Sequence, residues 1–141
     1  MIIRRIQRDD RGVAAVEVAL VLPLLFVFIY GIFQLGAIFA ANAIMQGALG
    51  EGARFATVWP VRTDAQIRSR IESKVINIYA GNFVVSDPVT TTVAATATAS
   101  AVKKTDLTIT YNVTTDLVFF PPRSLTLTRR KTAYMAIEAV S

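Results

Sequence analysis

Hydrophobic and polar positions divide the chain into three regimes. The first runs from Val18 to Ala41 without a single charged residue. About 20 apolar residues suffice to cross the hydrocarbon core of a bilayer, so this run predicts a membrane-spanning helix. At about 1.5 Å per residue it would measure roughly 36 Å, enough to cross with some tilt. The helical reading extends from Val13 to about Thr57, with Pro23 inside it. A proline removes one backbone hydrogen bond, which membrane helices tolerate. Beyond Ala41 the polar residues Asn42, Gln46, Glu51 and Arg54 appear among Ile44, Met45, Leu49 and Phe55, an amphipathic extension emerging into water. Gly47, Gly50 and Gly52 weaken that extension by up to about 1 kcal/mol each relative to Ala, and are read as marks of close packing by the C-terminal domain. Gly31 and Gly36 are small positions that permit another helix to approach. Trp59-Pro60 ends the helix, and Trp59 is expected to lie against the domain core.

The second regime is a short helix. Thr63-Asp64-Ala65-Gln66 is a capping box, in which Thr63 bonds the third backbone N–H and Gln66 reaches back. Ile67, Ile71, Val75 and Ile78 form one apolar stripe, which predicts a helix to about Tyr79, ended by Gly81-Asn82. From Phe83 onward the period changes to two. Val93, Ala95, Ala97, Ala99 and Ala101 alternate with Thr and Ser; Lys103-Lys104-Thr105-Asp106 reads as a turn; Leu107, Ile109, Tyr111 and Val113 then alternate with polar residues. Phe119-Phe120-Pro121-Pro122 reads as a loop, and a last strand is expected from about Ser124 to Ala139. The expected fold class is therefore α+β: a long N-terminal transmembrane helix, then a second helix packed on a small three-stranded antiparallel sheet. The corresponding divisions are a leader over 1–12, the helix with its extension over 13–57, and a small domain over 58–141 that is expected to fold without the membrane helix.

Composition narrows the chemistry. The 141 residues include no Cys and no His, which removes thiolate chemistry, disulfides, the commonest general base and the commonest transition-metal ligand. The carboxylates Asp64, Asp87 and Asp106 fall at expected turns or caps, where Asp is a structural residue. No nucleophile elbow or phosphate-cradling glycine loop is present. These observations argue against an enzyme and imply no cofactor and no metal. The net charge of +5 is concentrated. Arg4, Arg5, Arg8 and Arg11 crowd the segment before the apolar run, where basic residues act as a topology signal and stay cytoplasmic. The same cluster is compatible with contact to anionic membrane lipid. No basic stripe interleaved with aromatics accompanies it, so nucleic acid is not an expected partner. Arg129-Arg130-Lys131 reads as a solvated strand face.

Glu17 is out of place, because it stands where the helix should be entering lipid. A carboxylate at depth costs on the order of 2.5–3.5 kcal/mol on insertion scales, so such residues usually have a partner or a function. A carboxylate at headgroup level that snorkels into water is the plainer reading. Its neighbours are informative. Gly12 precedes an apolar segment that carries Glu17 at its fifth position.

A Gly followed by an apolar segment with Glu at its fifth position is the cleavage pattern of type IV prepilins. The stretch from Gly12 through Val13-Ala14-Ala15-Val16-Glu17-Val18-Ala19-Leu20-Val21-Leu22-Pro23-Leu24-Leu25 resembles the start of TadE-like pseudopilins of the tight-adherence (Tad, or Flp) pilus. The later run Asn42 to Ala56, with Glu51-Gly52-Ala53-Arg54-Phe55-Ala56, resembles the same family. Many Flp-type prepilins carry Tyr after the Glu; Val18 stands there, which favours a minor pseudopilin over the shorter major pilin. The resemblance implies cleavage by a prepilin peptidase between Gly12 and Val13, and pairing of Glu17 with the new amine of a neighbouring subunit. It also implies an inner-membrane, single-pass protein with a cytoplasmic N-terminus and a periplasmic C-terminal domain. The implied partners are the peptidase, other Tad pilins and pseudopilins, and the inner-membrane assembly platform. Two alternatives stand beside it. One is an uncleaved single-span anchored protein whose domain binds an extracytoplasmic ligand. The other is a secretory signal peptide cut near Ala40, Ala41 or Ala43, although the apolar run exceeds the usual length of about 7–15 residues.

Overall fold

The computed structural model describes residues 10–78, 81–94, 101–115 and 121–137. Its elements are α1 (Asp10–Ala56), α2 (Asp64–Glu72), β1 (Gly81–Val85), β2 (Val89–Val93), β3 (Val102–Thr115) and β4 (Arg123–Ala136). The architecture is α+β, with one long apolar helix, one short helix and an antiparallel sheet.

Helix α1 forms as its pattern predicts and passes through Pro23 without interruption. Its two halves live in different surroundings. Leu20, Leu24 and Phe28 stand clear of the rest of the protein, whereas Ala41, Met45, Ala48, Leu49, Ala53 and Ala56 are buried. The buried set recurs every three or four residues and makes one stripe toward the sheet. Helix α2 starts at the expected capping box: the Gln66 amide donates to Thr63 Oγ1 at 3.3 Å, and the Thr63 amide donates to Gln66 Oε1 at 3.1 Å.

The helix ends earlier than the apolar stripe predicts, at Glu72 rather than near Tyr79. The Ser73 hydroxyl turns back and donates to the Arg70 carbonyl at 2.7 Å, and the amides of Lys74 and Val75 bond three residues back. Apart from Lys74, residues 73–78 are Ser, Asn and β-branched, all weaker helix formers. Val75 and Ile78 still pack against the core, so the stripe reports burial beyond the helix it suggested. Gly81, expected as a helix stop, begins β1 instead. A Cβ there would lie 2.6 Å from the Asn112 carbonyl oxygen and from the Tyr111 hydroxyl. Close approach of β1 to β3 thus requires glycine at this position.

Among the described residues the sheet has four strands rather than three. The long strand β3 is central: β4 pairs with it from Val102↔Ala136 to Thr115↔Arg123. β1 takes positions Ile109 to Val113 and β2 takes Val102 to Asp106. Because β1 and β2 are both antiparallel to β3 and pair with successive parts of it, they act as one strand broken over 86–88. Pro88 lies in the break, and a proline cannot donate to a ladder. The alternation of Val93 with Ala95, Ala97 and Ala99 falls largely on 95–100, outside the described residues. So does Phe119-Phe120 of the expected loop; Pro121-Pro122 lies outside any strand, and the last strand runs Arg123–Ala136.

The expected turn at Lys103 to Asp106 does not exist, since all four residues lie inside β3. Their charge is accommodated without a turn. Lys104 and Asp106 are neighbours on one face of the strand and pair at 3.0 Å, while the Thr132 hydroxyl donates to Asp106 at 2.6 Å. Lys103 donates to the Arg62 carbonyl at 3.1 Å. Buried Thr105 faces inward with Leu107, Ile109, Tyr111 and Val113, continuing the alternation that the charged cluster masks in the sequence. Thr105 is satisfied by Thr90 at 3.2 Å, whose hydroxyl also donates to Asp64 at 2.6 Å.

One core results, and both helices build it. The stripe of α1 from Ala41 to Ala56 and the α2 residues Ile67 and Ile71 close over the inner face of β3. Each Ile or Leu buried here contributes about 1.5–3 kcal/mol relative to exposure. The expectation that residues from 58 onward fold alone therefore loses its support, because α1 donates a large share of the core surface. Trp59 does not join the core and is 76% exposed.

Candidate functional site

The processing candidates Gly12 and Val13 and the pairing candidate Glu17 all lie in the first turns of α1. A Cβ at Gly12 would meet nothing within 4 Å, and Val13 is 61% exposed. Val13 and Glu17 are four residues apart, which puts them one above the other on a single helix face. Glu17 is exposed, and among the described residues it has no hydrogen-bond or ion-pair partner. The structure thus presents Gly12, Val13 and Glu17 on a bare helix, far along α1 from the sheet. At about 1.5 Å per residue, Glu17 lies roughly 36 Å along the helix from Ala41, the first buried residue of the α1 stripe.

The second motif, Glu51-Gly52-Ala53-Arg54-Phe55, does something else. It fastens α2 to α1. Glu51 receives Arg70 Nη2 of α2 at 2.6 Å and Arg54 Nε of its own helix at 3.2 Å. Beside it, a Cβ on Gly52 would overlap the Ile71 side chain, with Ile71 Cδ1 at 2.8 Å and Leu107 Cδ1 at 3.5 Å. Gly52 is therefore a helix position against which α2 and β3 both pack closely. Gly47 faces open space and Gly50 approaches only the Lys131 ammonium, at 3.8 Å, so the packing expected of all three glycines falls on one. Phe55 completes the joint, with the Arg62 guanidinium 5.0 Å and the Arg70 guanidinium 5.9 Å from its ring centre. Such cation–π contacts are worth about 0.5–1 kcal/mol at exposed sites.

Sequence reasoning missed two of these partners. Arg70 lies off the apolar stripe of Ile67 and Ile71 and carried no expectation of its own, and Arg129 read as part of a solvated strand face. Arg129 Nε donates to Asn42 Oδ1 of α1 at 2.7 Å, which ties the middle of β4 to the start of the extension. The only available signal was Asn42 itself, the first polar residue after the apolar run. Deeper in the core, Tyr111 is fully buried and tilted against Phe83, with ring centres 4.6 Å apart. Burial pushes its hydroxyl pKa up, and among the described residues the hydroxyl has no hydrogen-bond partner. No group of three or more His, Cys, Asp or Glu among the described residues could hold a metal ion.

The two motifs are thus joined by one helix, a bare end with Gly12 and Glu17 and a docked end with Glu51 and Gly52. Residues 12–54 match the TadE-like protein family. The TadE-like segment begins at Gly12 and ends at Arg54, so it covers both motifs and the apolar run between them. No curated protein and no solved structure matches the chain. The TadE-like family suggests a part in Tad pilus assembly, together with other pilus components. Over the same segment α1 is long and apolar enough to cross a membrane. It is compatible with single-pass anchoring.

Proposed function

We propose that this chain is a minor pseudopilin of a Tad-type pilus, matured by a prepilin peptidase that cuts between Gly12 and Val13. The observation that carries the reading is the TadE-like match, which spans the bare end of α1 and its docked end alike. Gly12 has no side chain to obstruct a protease approaching the backbone, and Gly resists helix continuation by about 1 kcal/mol relative to Ala. Cleavage frees a positive amine on Val13. Glu17 pairs with the corresponding amine of a neighbouring subunit, where a carboxylate and an ammonium in low dielectric attract strongly but mostly repay their own desolvation. The pair's value is register between helices. The protein sits in the inner membrane with its N-terminus cytoplasmic and its α+β domain periplasmic. There it meets other pilins and pseudopilins and the assembly platform.

The test is the intact mass of the protein recovered from membranes with and without prepilin peptidase. With the peptidase present, the mature chain begins at Val13; Gly12→Ala leaves the precursor uncut. Equal masses in the two membranes, or equal mature product from parent and Gly12→Ala, would overturn the processing step.

A further inference from the structure

The β3–β4 hairpin does not stand off from the apolar helix. Arg129 meets α1 at Asn42, and from there the paired strands run back toward the N-terminal half of the helix. At their far end Val113, Thr114 and Thr115 share a cavity of about 360 Å³ with Tyr30, Gln34 and Ile38. The sheet therefore lies beside residues that the apolar run alone would assign to lipid. Lipid cannot accommodate it at that level. β4 is hydrogen-bonded to β3 along one edge, and among the described residues no strand covers the other. An open edge leaves backbone N–H and C=O groups without partners, which hydrocarbon does not tolerate. The last pair of the ladder, Thr115↔Arg123, also puts an arginine at that end of the sheet.

An opposing term comes from α1 itself, where Ile32 and Phe39 are 55% and 71% exposed and would favour lipid. Phe39 lies on the side of the helix away from Gln34 and Ile38, given 3.6 residues per turn, while Ile32 borders a groove that it shares with Gln34, Ile38 and Thr115. A tilted helix lifts the sheet and brings the uncovered face just beyond Tyr30 toward the interface.

We propose that the bilayer surface meets this protein at the end of the β3–β4 hairpin. Tyr30, Gln34, Thr114, Thr115 and Arg123 stand at the level of the phospholipid headgroups. The inference rests on the reading of α1 as a membrane span. Its hydrocarbon segment is then Val13–Tyr30, roughly 27 Å long at 1.5 Å per residue, close to the core thickness of about 30 Å. Tyr30 takes the interfacial position that tyrosine favours, and Arg123 faces the phosphates.

Because the chain has no cysteine, single cysteines can report depth directly. Leu24, Phe39, Thr114 and Arg123 are all exposed, so replacing each by Cys leaves the core intact. The full chain, spin-labelled at one position at a time, is reconstituted in equimolar phosphatidylethanolamine and phosphatidylglycerol vesicles. Accessibility to oxygen and to a water-soluble nickel chelate gives the depth. The expected order is Leu24 deep in hydrocarbon, Thr114 and Arg123 at headgroup depth, and Phe39 shallower than Leu24. Labels at Thr114 and Arg123 as deep as Leu24, or fully water-exposed and clear of the surface, overturn the proposal. A water-exposed label at Leu24 overturns the membrane span itself, and the proposal with it.

Discussion

Single residues carry the two ends of α1, and they do so by opposite means. Glu17 matters because no described residue explains it: the described structure surrounds it with an exposed apolar helix and no counter-charge. Glu17→Gln keeps the shape and removes the charge. If its partner is a neighbouring Val13 amine, the lone amine left in low dielectric costs about 3–5 kcal/mol. The variant is expected to insert and accumulate normally yet lose other pilus components in detergent pull-downs. Undiminished recovery at matched membrane level, with normal piliation, would end that role. Gly52 matters because of what touches it. Gly52→Ala places a methyl against Ile71 and is expected to destabilise by about 1–3 kcal/mol, as overpacking does. Gly47→Ala, on open helix surface, is expected to stabilise by about 0.5–1 kcal/mol through helix propensity alone. Thermal melts of the two variants should move in opposite directions; a shared direction would show that Gly52 is not a packing contact.

At the scale of elements, the informative case is the second half of α1. Its apolar stripe, Ala41 to Ala56, is core rather than linker. A fragment of residues 58–141 lacks that stripe and exposes the inner face of β3, so it is expected to show no cooperative melt. A fragment of residues 40–141 restores the stripe and is expected to melt cooperatively by circular dichroism. Cooperative folding of the shorter fragment would contradict the packing argument. Strand β3 supplies a second test. The Thr132 hydroxyl first, and the Lys104 ammonium second, hold the Asp106 carboxyl below its ordinary value near 3.8. A depressed carboxylate contributes stability that is fully present above the ordinary value and lost as pH falls below it. The melting-temperature gap between parent and Asp106→Asn is therefore expected to be constant near neutrality and to close on acidification below about pH 4. A gap that persists unchanged at lower pH would show that Asp106 acts by packing and not by charge.

For the whole molecule, the elements divide by the range of the interactions that make them. The membrane-length helix, the capping box at Thr63 and the alternation from Leu107 to Val113 were legible because each is set by residues near in sequence. An apolar run needs only length, a cap needs a side chain three residues from an amide, and a half-buried strand needs a period of two. The Gly12 and Glu17 spacing and the Glu51-Gly52 run were legible in the same way, as local patterns. Partners distant in the chain decided the rest. Lys103 to Asp106 looked like a turn because the ion pair to Lys104 and the hydroxyl of Thr132 that make a charged strand comfortable appear only when β4 is laid beside β3. Likewise, α2 stops at Glu72, and Gly52 is needed where Ile71 arrives, for reasons set by which surfaces meet. Hydrophobic pattern can say that a face will be buried; only the packed chain says against what. So it is with the level of the sheet beside Tyr30, which follows from a register between strand and helix that no local pattern encodes.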